Sequence, residues 1–304
     1  MNILITGCNG QLGNEILILE RSNTQHRYFN TDIQEHAPGV ANYSKLDITD
    51  KNAVQEFINA NSIGGIINCA AYTAVDKAET DRDACVRLNT LAPTYLAEAI
   101  NDAGGWIIHV STDYVFDGTG HTPYVEDAQT CPNSVYGDTK LAGEMAVRSC
   151  AANHAIIRTA WLYSEFGKNF VKTMIALGQT KTELNVVADQ IGTPTYALDL
   201  AKAIFRIIDH GIIPGTYHFS NEGAISWYDF TKAIHRIAGI ATCDVKPIHT
   251  AEYPTPAKRP HYSVLDKTKI KATYGITIPY WEESLRRCIE NGKVKALSEG
   301  DKRR

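Results

Sequence analysis

The sequence predicts an α/β protein with a Rossmann-type, doubly wound parallel sheet and a smaller C-terminal α+β lobe. Short apolar runs alternate with segments of helical spacing through the first half of the chain, as right-handed β–α–β crossovers require. The apolar runs carry few polar residues, which is typical of strands that helices cover on both faces. After about residue 164 the alternation loosens, so we divide the chain into a first domain at 1–164 and a second lobe at 165–304, with some segments of the lobe returning to the sheet.

Each element follows from its own residue pattern. Apolar runs predict five strands, at residues 1–6, 26–32, 64–71, 105–112 and 154–163. Helical spacing predicts the helices of the first half, at residues 11–22, 49–62, 79–103 and from 134 onward, after a loop at 113–133. Thr49 or Asp50 is the expected N-cap of the second helix. In the lobe, helices are expected at 166–178, 198–210, 226–238 and 279–291, and residues 243–266 are expected to be irregular and proline-rich.

Composition narrows the class of protein. The 304 residues are 44% hydrophobic and 21% charged with a formal net charge of −4, which is ordinary for a soluble globular protein. Because no basic block stands out before the last residues, we expect no nucleic-acid partner. The seven cysteines are scattered without a C-x-x-C pair, which argues against a disulfide framework or a zinc site. No apolar run approaches the ~20 residues of a membrane span and no secretory leader opens the chain, so we expect no membrane contact and a cytoplasmic location.

A glycine-rich turn joins the first strand to the first helix. The stretch "ITGCNGQLGNE" places Gly7, Gly10 and Gly13 in a G-x-x-G-x-x-G spacing, with Gln11 and Leu12 between the last two. Gly7 permits a tight turn, Gly10 lets the backbone approach a pyrophosphate, and Gly13 allows close packing of the helix on the sheet. The phosphates would lie at the helix N-terminus, where free amide donors and the helix dipole favour negative charge. A plain strand–turn–helix also uses glycine, but the position directly after the first strand favours a dinucleotide site.

The residue that ends the second strand selects the adenosine ribose in such sites. Here it is Asp32, nineteen residues after Gly13. A carboxylate at this position accepts hydrogen bonds from ribose hydroxyls and repels a 2′-phosphate, which favours NADH. Arg27 and Lys45 are close enough in sequence to leave NADPH open, and the alternative is that Asp32 only starts a turn.

The helix after the long loop carries a tyrosine and a lysine on one face. In "SVYGDTKLAGE", Tyr136 and Lys140 are four residues apart, so their side chains project together. One interpretation is a surface contact with a solvated ammonium. The other is a phenol whose pKa the ammonium lowers, so that it can exchange a proton with a substrate oxygen. Thr112, at the end of the fourth strand, supplies a hydroxyl that would hold a substrate carbonyl beside them, unless it only caps its own backbone.

Longer strings carry a resemblance to a known family. The glycine spacing, the Thr112 segment and Tyr136-x-x-x-Lys140 resemble the extended short-chain dehydrogenase/reductases. More specific strings resemble the dTDP-4-dehydrorhamnose reductases within that superfamily: "STDYVFDG", "YGDTKLAGE", "NCAAYTAVDKAE", "RTAWLY", "DQIGTPT" and "KRPHYSVLD". The resemblance runs from residue 1 to about residue 292.

The resemblance implies an enzyme and assigns its catalytic residues. A hydride would pass from NADPH or NADH to C4 of dTDP-4-dehydro-β-L-rhamnose and give dTDP-L-rhamnose, with the cofactor supplying the reducing chemistry. Tyr136 would donate the proton to the C4 oxygen, and Thr112 would hydrogen-bond the same oxygen. Lys140 would lower the pKa of Tyr136 and hold the nicotinamide ribose.

The resemblance also implies binding residues around this centre. Cofactor contacts fall at Ala70, Ala71, Tyr72, Asn89, Asp47 and Ile48. Tyr114 and Trp161 would contact the sugar, although a tryptophan at a strand end is as often a core residue. Asn169 would hydrogen-bond the nucleotide, unless it only begins a helix. Arg259 is a candidate for the diphosphate because a guanidinium matches phosphate with two hydrogen bonds, unless it and Lys258 are solvated loop charges.

Some members of the family are described as binding magnesium through glutamates at a dimer contact. Glu15 occupies the matching position in the first helix, but no convincing partner for it stands in the C-terminal half of the sequence. An exposed helix glutamate is therefore the favoured interpretation. The sequence gives only weak support to Mg²⁺, and both a monomer and a homodimer stay open.

Two other functions also stay open. A related sugar-nucleotide epimerase or dehydratase would share the phosphate loop and Tyr-x-x-x-Lys, but a dehydratase needs acidic residues after the threonine, and here Asp113 is followed by Tyr114. A non-catalytic, cofactor-binding regulatory subunit could use the same fold. The joint presence of Thr112, Tyr136 and Lys140 favours catalysis over that reading.

Overall fold

The computed structural model describes residues 1–37 and 39–301, and a seven-stranded sheet lies at its centre. The strands are β1 (Asn2–Thr6), β2 (Arg27–Asp32), β3 (Tyr43–Lys45), β4 (Ile63–Asn68), β5 (Trp106–Thr112), β6 (His154–Thr159), β7 (Leu162–Tyr163), β8 (Glu183–Val187), β9 (Ile191–Gly192), β10 (Thr195–Tyr196), β11 (Gly215–His218), β12 (Ile225–Ser226) and β13 (Asp244–Ile248). The helices are α1 (Gln11–Glu20), α2 (Lys51–Ala60), α3 (Val75–Ala78), α4 (Arg82–Val86), α5 (Ala92–Asp102), α6 (Val135–Cys150), α7 (Phe170–Thr180), α8 (Ala197–His210), α9 (Trp227–Ala238), α10 (Thr268–Tyr274) and α11 (Trp281–Asp301). Residues 302–304, with which the predicted second lobe ends, lie outside the described residues. Within the described part of the chain, no helix is both long and apolar enough to cross a membrane.

The strand order of the central sheet is β11–β6–β5–β4–β1–β2–β3, and its neighbouring strands are parallel. The chain first runs outward from β1 through β2 and β3, then crosses back to β4 and continues to β5 and β6. The direction of winding reverses between β1 and β4, so the loops at their carboxyl ends diverge and leave a crevice. The predicted doubly wound, parallel sheet is confirmed.

Strand β1 shows why helices must cover both faces of the sheet. Ile3 and Ile5 point to the face on which α1 and α8 pack, whereas Leu4 points to the face covered by α2, α5 and α6. All three side chains are fully buried. Burying a side chain of this size is worth roughly 1.5–3 kcal/mol, so neither face can be left to solvent.

Two predicted strands end earlier than their apolar runs suggest. The run 154–163 is divided into β6 and β7 because Trp161 takes a φ of +48°, a conformation that is rare for a bulky residue and turns the chain out of the sheet. The run 64–71 leaves the sheet after Asn68. Its last residues, 69–71, therefore form a loop at the crevice instead of a strand.

The cap of α2 follows the sequence prediction. Asp50, one of the two expected N-cap residues, accepts hydrogen bonds from the backbone amides of Asn52 and Ala53 at 2.9 and 3.1 Å. Two of the four unpaired amides at the start of this helix are thereby satisfied.

The C-terminal half contains short elements that residue patterns do not reveal. The segment 243–266, expected to be irregular, includes β13, which pairs in parallel with β8. Strand β11 leaves this half of the chain and joins the central sheet beside β6. A separate cluster of buried side chains, including Tyr163, Phe230 and Trp281, forms the core around α7, α9 and α11.

Candidate active site

A cleft of about 930 Å³ opens at the carboxyl ends of the central strands, where the winding direction reverses. Its walls come from the glycine turn, the ends of β2, β4, β5 and β6, and the start of α7 and α9. The cleft brings together most of the predicted site residues: Gly7, Gly10, Gln11, Leu12, Gly13, Asp32, Asp47, Ile48, Ala70, Ala71, Tyr72, Thr112, Tyr114, Tyr136, Lys140, Trp161, Asn169 and Arg259. Asn89 and Glu15 do not line it.

The glycine turn forms a cradle that side chains would fill. Gly7 has a φ of +66°, and a Cβ there would lie 2.8 Å from the backbone nitrogen of Ala70. A Cβ on Gly13 would lie 2.3 Å from the carbonyl oxygen of Gly7. Gly10 is the N-cap of α1 and has no side chain to occupy the free amides of that helix. These residues fit the pyrophosphate of a dinucleotide, which takes hydrogen bonds from such amides.

The carboxylate of Asp32 is fixed beside this cradle. Its two oxygens accept hydrogen bonds from the backbone amides of Asn9 at 3.1 Å and Ile33 at 2.8 Å. Arg27 lies at the other end of β2 and stacks on the ring of Phe29 at 4.9 Å, so it does not reach the adenosine side of the cleft.

Lys45 is the cation next to Asp32. The two residues face each other in the register of β2 and β3. The ammonium of Lys45 is ion-paired with Glu35, and both side chains are exposed. A 2′-phosphate at this point would therefore meet two carboxylates and one lysine that is already paired.

Asn89 acts behind the cleft instead of lining it, which corrects the expectation of direct cofactor contact. It is fully buried in the π-helical turn Arg87–Leu91, between α4 and α5. Its side chain accepts from the amide of Tyr72 at 2.8 Å and donates to the carbonyl oxygen of the same residue at 3.1 Å. Asn89 thereby fixes the loop 70–72, which does line the cleft, and π turns of this kind are frequent at functional sites.

Lys140 is buried, so the interpretation of a solvated surface contact is wrong. Ser134 caps α6 by accepting from the amide of Gly137 at 3.1 Å, which places Lys140 one turn into the helix. Its ammonium donates to the carbonyl oxygen of Val110 at 2.6 Å. Burial lowers the pKa of Lys140 to about 8, and the carboxylate of Glu144 opposes that shift.

Tyr136 lies in the first turn of α6, next to Thr112 at the end of β5. Thr112 caps the 3₁₀ turn Asp113–Val115, and its oxygen accepts from the amide of Tyr114 at 3.2 Å. Burial raises the pKa of Tyr136 above its ordinary value, and the hydroxyl of Thr112 opposes the rise. The pKa of the phenol is thus raised, whereas the spacing to Lys140 predicted that it would be lowered. The phenol is protonated at neutral pH, which is the form that a proton donor needs.

Arg259 reaches the cleft but is already paired. Its guanidinium donates to Asp76 at 2.7 Å and to the hydroxyl of Tyr114 at 3.2 Å, so it is not a solvated loop charge. The ring of Tyr114 meets that of Tyr136 edge to face at 5.4 Å between centroids. A chain of contacts therefore links the arginine to the phenol of Tyr136.

Trp161 belongs to an aromatic wall that the sequence only partly indicates. Its indole stacks on that of Trp227, with centroids 3.5 Å apart and planes 10° apart. Phe170 and Phe230 pack against Trp227 and also line the cleft. These three residues were missed because their helices, α7 and α9, lie far from the strand ends in sequence. Aromatic residues in the first turn of an amphipathic helix were the available signal.

Asn169 is both a helix cap and a bridge. Its side chain accepts from the amide of Lys172 at 3.0 Å, so it begins α7 as the alternative interpretation held. Its amide group also donates to Gln11 Oε1 at 2.9 Å. Two of the predicted binding residues, 158 positions apart in sequence, therefore contact each other at the start of α1.

The expectation that Glu15 is exposed is wrong. Its side chain is fully buried and accepts a hydrogen bond from Ser164 at 2.7 Å. Both Glu15 and Glu165 raise the pKa of the buried phenol of Tyr196, for which burial is the largest cause. Among the described residues, no group of three histidine, cysteine or carboxylate side chains is arranged to hold a metal ion.

The whole chain is similar to enzymes that act on sugar nucleotides. A family model described as "RmlD substrate binding domain" matches residues 1–294. The dTDP-4-dehydrorhamnose reductase of Sinorhizobium fredii is 40% identical over 298 residues, which cover 95% of this chain and 97% of that protein. A solved dTDP-4-dehydrorhamnose reductase from Clostridium acetobutylicum is 45% identical with a TM-score of 0.89, over 95% of this chain and 99% of the other. Another, from Bacillus anthracis in complex with NADP, is 38% identical with a TM-score of 0.88, over 95% and 99% of the two chains.

Proposed function

Because this chain belongs to the RmlD substrate binding domain family, we propose that its cleft carries out the reaction of its reductase relatives. It is an NAD(P)H-dependent oxidoreductase that reduces the C4 keto group of dTDP-4-dehydro-β-L-rhamnose to dTDP-L-rhamnose. Its small-molecule partner is thus a dTDP-sugar. The nicotinamide cofactor, when bound, supplies the hydride that the reduction consumes.

One observation carries the assignment of roles. The phenol of Tyr136, the hydroxyl of Thr112 and the ammonium of Lys140 converge in one cleft with the glycine cradle. We assign proton donation to Tyr136, since its phenol is protonated at neutral pH and buried beside the cleft. The proton goes to the C4 oxygen while C4 receives the hydride, so the ketone becomes an alcohol and Tyr136 is left to recover a proton. Lys140 supplies positive charge near the phenolate that remains.

The substrate side of the cleft is suited to a nucleotide-sugar. Arg259 would bind the diphosphate, which can share the guanidinium with Asp76 or displace it. Trp161 and Trp227 present an aromatic wall on which a sugar or base ring can pack. Asn169 and Gln11, which contact each other, would lie between the two ligands.

The cofactor cradle fits either nicotinamide dinucleotide, and we propose that NADH is the better partner. Asp32 is held by two backbone amides, so it cannot turn away from a 2′-phosphate. Lys45 is the nearby cation, and Glu35 already neutralises it. The Bacillus anthracis relative was solved with NADP, so a preference for NADH would distinguish this chain from it.

Location, assembly and lobe roles are further proposals. We propose that residues 165–304 mainly bind the sugar nucleotide and that the enzyme works in the cytoplasm. Because the candidate ligand Glu15 is fully buried and accepts a hydrogen bond from Ser164, we propose that turnover does not require Mg²⁺. Sedimentation with and without EDTA will distinguish a monomer from a homodimer and from a metal-dependent assembly.

The rival functions differ from reduction in what they do to the cofactor. An epimerase or dehydratase regenerates its cofactor, and a regulatory subunit binds it without turnover. A dehydratase is disfavoured because Tyr114, whose hydroxyl accepts a hydrogen bond from Arg259, lies where that reaction would need a carboxylate.

The test follows nicotinamide absorbance with dTDP-4-dehydrorhamnose generated in situ, using NADH and NADPH in parallel, with and without EDTA. Stoichiometric oxidation with a rhamnose product is expected, faster with NADH and insensitive to EDTA. Tyr136→Phe is expected to lower kcat by about 10²–10⁴-fold while NADH binding is retained, since it removes only the acidic proton. Turnover that survives this substitution would rule out Tyr136 as the acid, and binding without oxidation would favour the regulatory reading.

A further inference from the structure

A buried carboxylate next to Thr112 has no part in the reaction as described so far. Asp113 begins the 3₁₀ turn at the carboxyl end of β5, and it borders the cleft although only 2% of its surface is exposed. Its Oδ1 lies 3.0 Å from Thr112 Oγ1. Its Oδ2 is buried without a hydrogen bond of normal geometry to any residue of the described chain. A carboxylate in such surroundings is costly, so its presence beside the cleft calls for a reason.

The hydroxyl of Thr112 has one proton and can donate it to only one acceptor at a time. The amide of Tyr114 donates to this oxygen at 3.2 Å and occupies one of its lone pairs. An ionised carboxylate can only accept, so Thr112 is the donor across the 3.0 Å contact with Asp113. While Asp113 is charged, the proton of Thr112 is therefore not available to the C4 oxygen of the sugar.

We propose that Asp113 is a positioning residue whose protonation decides whether the hydroxyl of Thr112 donates to Asp113 or to the C4 oxygen. When the carboxyl group is neutral, its own O–H can donate to Thr112, and the proton of Thr112 turns to the substrate. Loss of the charge also removes repulsion of the negative charge that develops on C4 oxygen, and it makes Tyr136 more acidic. All three effects favour reduction with Asp113 neutral. This inference rests on the proposed function.

Because of its surroundings, we expect Asp113 to gain or lose its proton at mildly acid pH. Burial raises the pKa of Asp113 to about 6, and the hydroxyls of Ser263 and Thr112 oppose the rise by favouring the ionised form. Among the described residues, the titratable and charged groups nearest to it include Tyr114 on the same turn, Tyr136 and Lys140 on α6, Cys85 on α4, and Arg259 with Asp76 across the cleft. The phenols and the lysine titrate at higher pH.

His109 on β5 and the buried His218 on β11 do not titrate in this range. Burial lowers the pKa of His109 well below its ordinary value. Burial also lowers the pKa of His218 to about 3. A midpoint near pH 6 that is lost in Asp113→Asn would therefore be assigned to Asp113.

The first experiment measures kcat for NADH oxidation from pH 5 to pH 9 in the wild type and in Asp113→Asn. NADH is used because the 2′-phosphate of NADPH itself titrates near pH 6. The wild-type kcat is expected to fall about tenfold between pH 5 and pH 8 with a midpoint near 6, which corresponds to roughly 1.4 kcal/mol in the transition state. Asp113→Asn is expected to stay near the acid plateau up to about pH 7, below the range in which Lys140 loses its proton, and to show no midpoint near 6, because its side chain cannot ionise.

A double-mutant cycle tests whether Asp113 acts through Thr112. Thr112→Val removes the hydroxyl, and Asp113→Asn in that background is expected to change the pH profile clearly less than it does in the wild type, because only the direct effects of the charge on the C4 oxygen and on Tyr136 remain. Ser263→Ala supplies a second readout, since loss of a hydroxyl that favours the ionised form should move the midpoint to higher pH. A purely structural role for Asp113 would predict additive losses and an unmoved midpoint.

The outcomes separate this inference from the function on which it rests. A flat wild-type profile, an unchanged midpoint in Asp113→Asn, or additive effects in the cycle would each overturn the inference while leaving the reductase intact. If Asp113→Asn melts too early to assay, the midpoint in Ser263→Ala decides in its place. No oxidation of NADH by the wild type at any pH would instead overturn the proposed function and this inference with it.

Discussion

Gly10 and Gly13 at the start of α1 have separable roles, and paired substitutions test them. Gly13→Ala is expected to damage the fold, whereas Gly10→Ala is expected to damage cofactor binding alone. A Cβ on Gly13 would lie 2.3 Å from the carbonyl oxygen of Gly7 and 2.5 Å from Cys8 Cα, and both are backbone atoms that cannot swing away. On Gly10 the nearest atom is the same oxygen at 3.2 Å, and its φ of −73° suits any residue.

The expected losses of stability follow from these distances. Relief of the contact at Gly13 requires the helix to move by about 1 Å, since ordinary contacts between such atoms are ~3.5 Å. Overpacking of this kind costs about 3 kcal/mol, of which the helix propensity of alanine returns up to ~1 kcal/mol. At roughly 2–4 °C per kcal/mol for a large domain, we expect Gly13→Ala to lower Tm by about 4–12 °C. Gly10→Ala requires shifts of only a few tenths of an ångström, and we expect its Tm to change by less than about 2 °C.

Thermal melts and NADH titrations of the two variants form the assay. Gly10→Ala is expected to raise the Kd for NADH by at least about tenfold, because its methyl group would stand in front of the free amides that receive the pyrophosphate. Each variant controls for the other, since the substitution and the turn are the same. Equal losses of Tm, or unchanged NADH affinity in Gly10→Ala, would refute this division of roles.

Three further predictions concern charges in the cleft. The kcat/KM for NADH should fall as pH rises through about 8, because Lys140, with its pKa lowered by burial, loses its proton there; a limb near pH 10.5 would show that this ammonium stays solvated. Glu35→Gln should lower the KM for NADPH about fivefold and leave that for NADH within about twofold, because Lys45 is released toward a 2′-phosphate; equal changes for the two cofactors would contradict this. Asp76→Asn should lower the KM for the dTDP-sugar about threefold and leave kcat unchanged, because it frees Arg259 to bind the diphosphate. A raised KM would mean that Asp76 orients the guanidinium instead of competing for it.

Features set by local spacing were predictable from sequence, and features set by distant contacts were not. Lys140 and Tyr136 could be placed on one helix face because the helix repeat fixes that geometry. Burial of Glu15 depends on Ser164, 149 positions away, and the pairing of Arg259 depends on Asp76, 183 positions away. No periodicity in the sequence encodes such contacts.

The pKa of Tyr136 is a further property that could not be predicted from the sequence alone. The sequence gives the spacing of Tyr136 and Lys140, and hence the sign of the effect of the ammonium. Desolvation of the phenol depends on everything packed around it, and it is the largest cause of the raised pKa. The spacing of two residues on a helix therefore predicts that their side chains are neighbours more securely than it predicts whether either is protonated.

Two polar bridges cross the cleft and make the two ligands interdependent. Asn169 donates to Gln11 at 2.9 Å at the start of α1, and Arg259 donates to Asp76 of α3 at 2.7 Å. Residues proposed to receive the cofactor and the sugar nucleotide thus also link residues 1–164 to residues 165–304, so a ligand that recruits one of them alters a contact between these two parts of the chain. NADH should therefore change the Kd for dTDP, and dTDP should change the Kd for NADH by the same factor. Gln11→Ala, which cuts one bridge and leaves the cap of α7 intact, should bring that factor toward one; an unchanged factor would locate the coupling elsewhere.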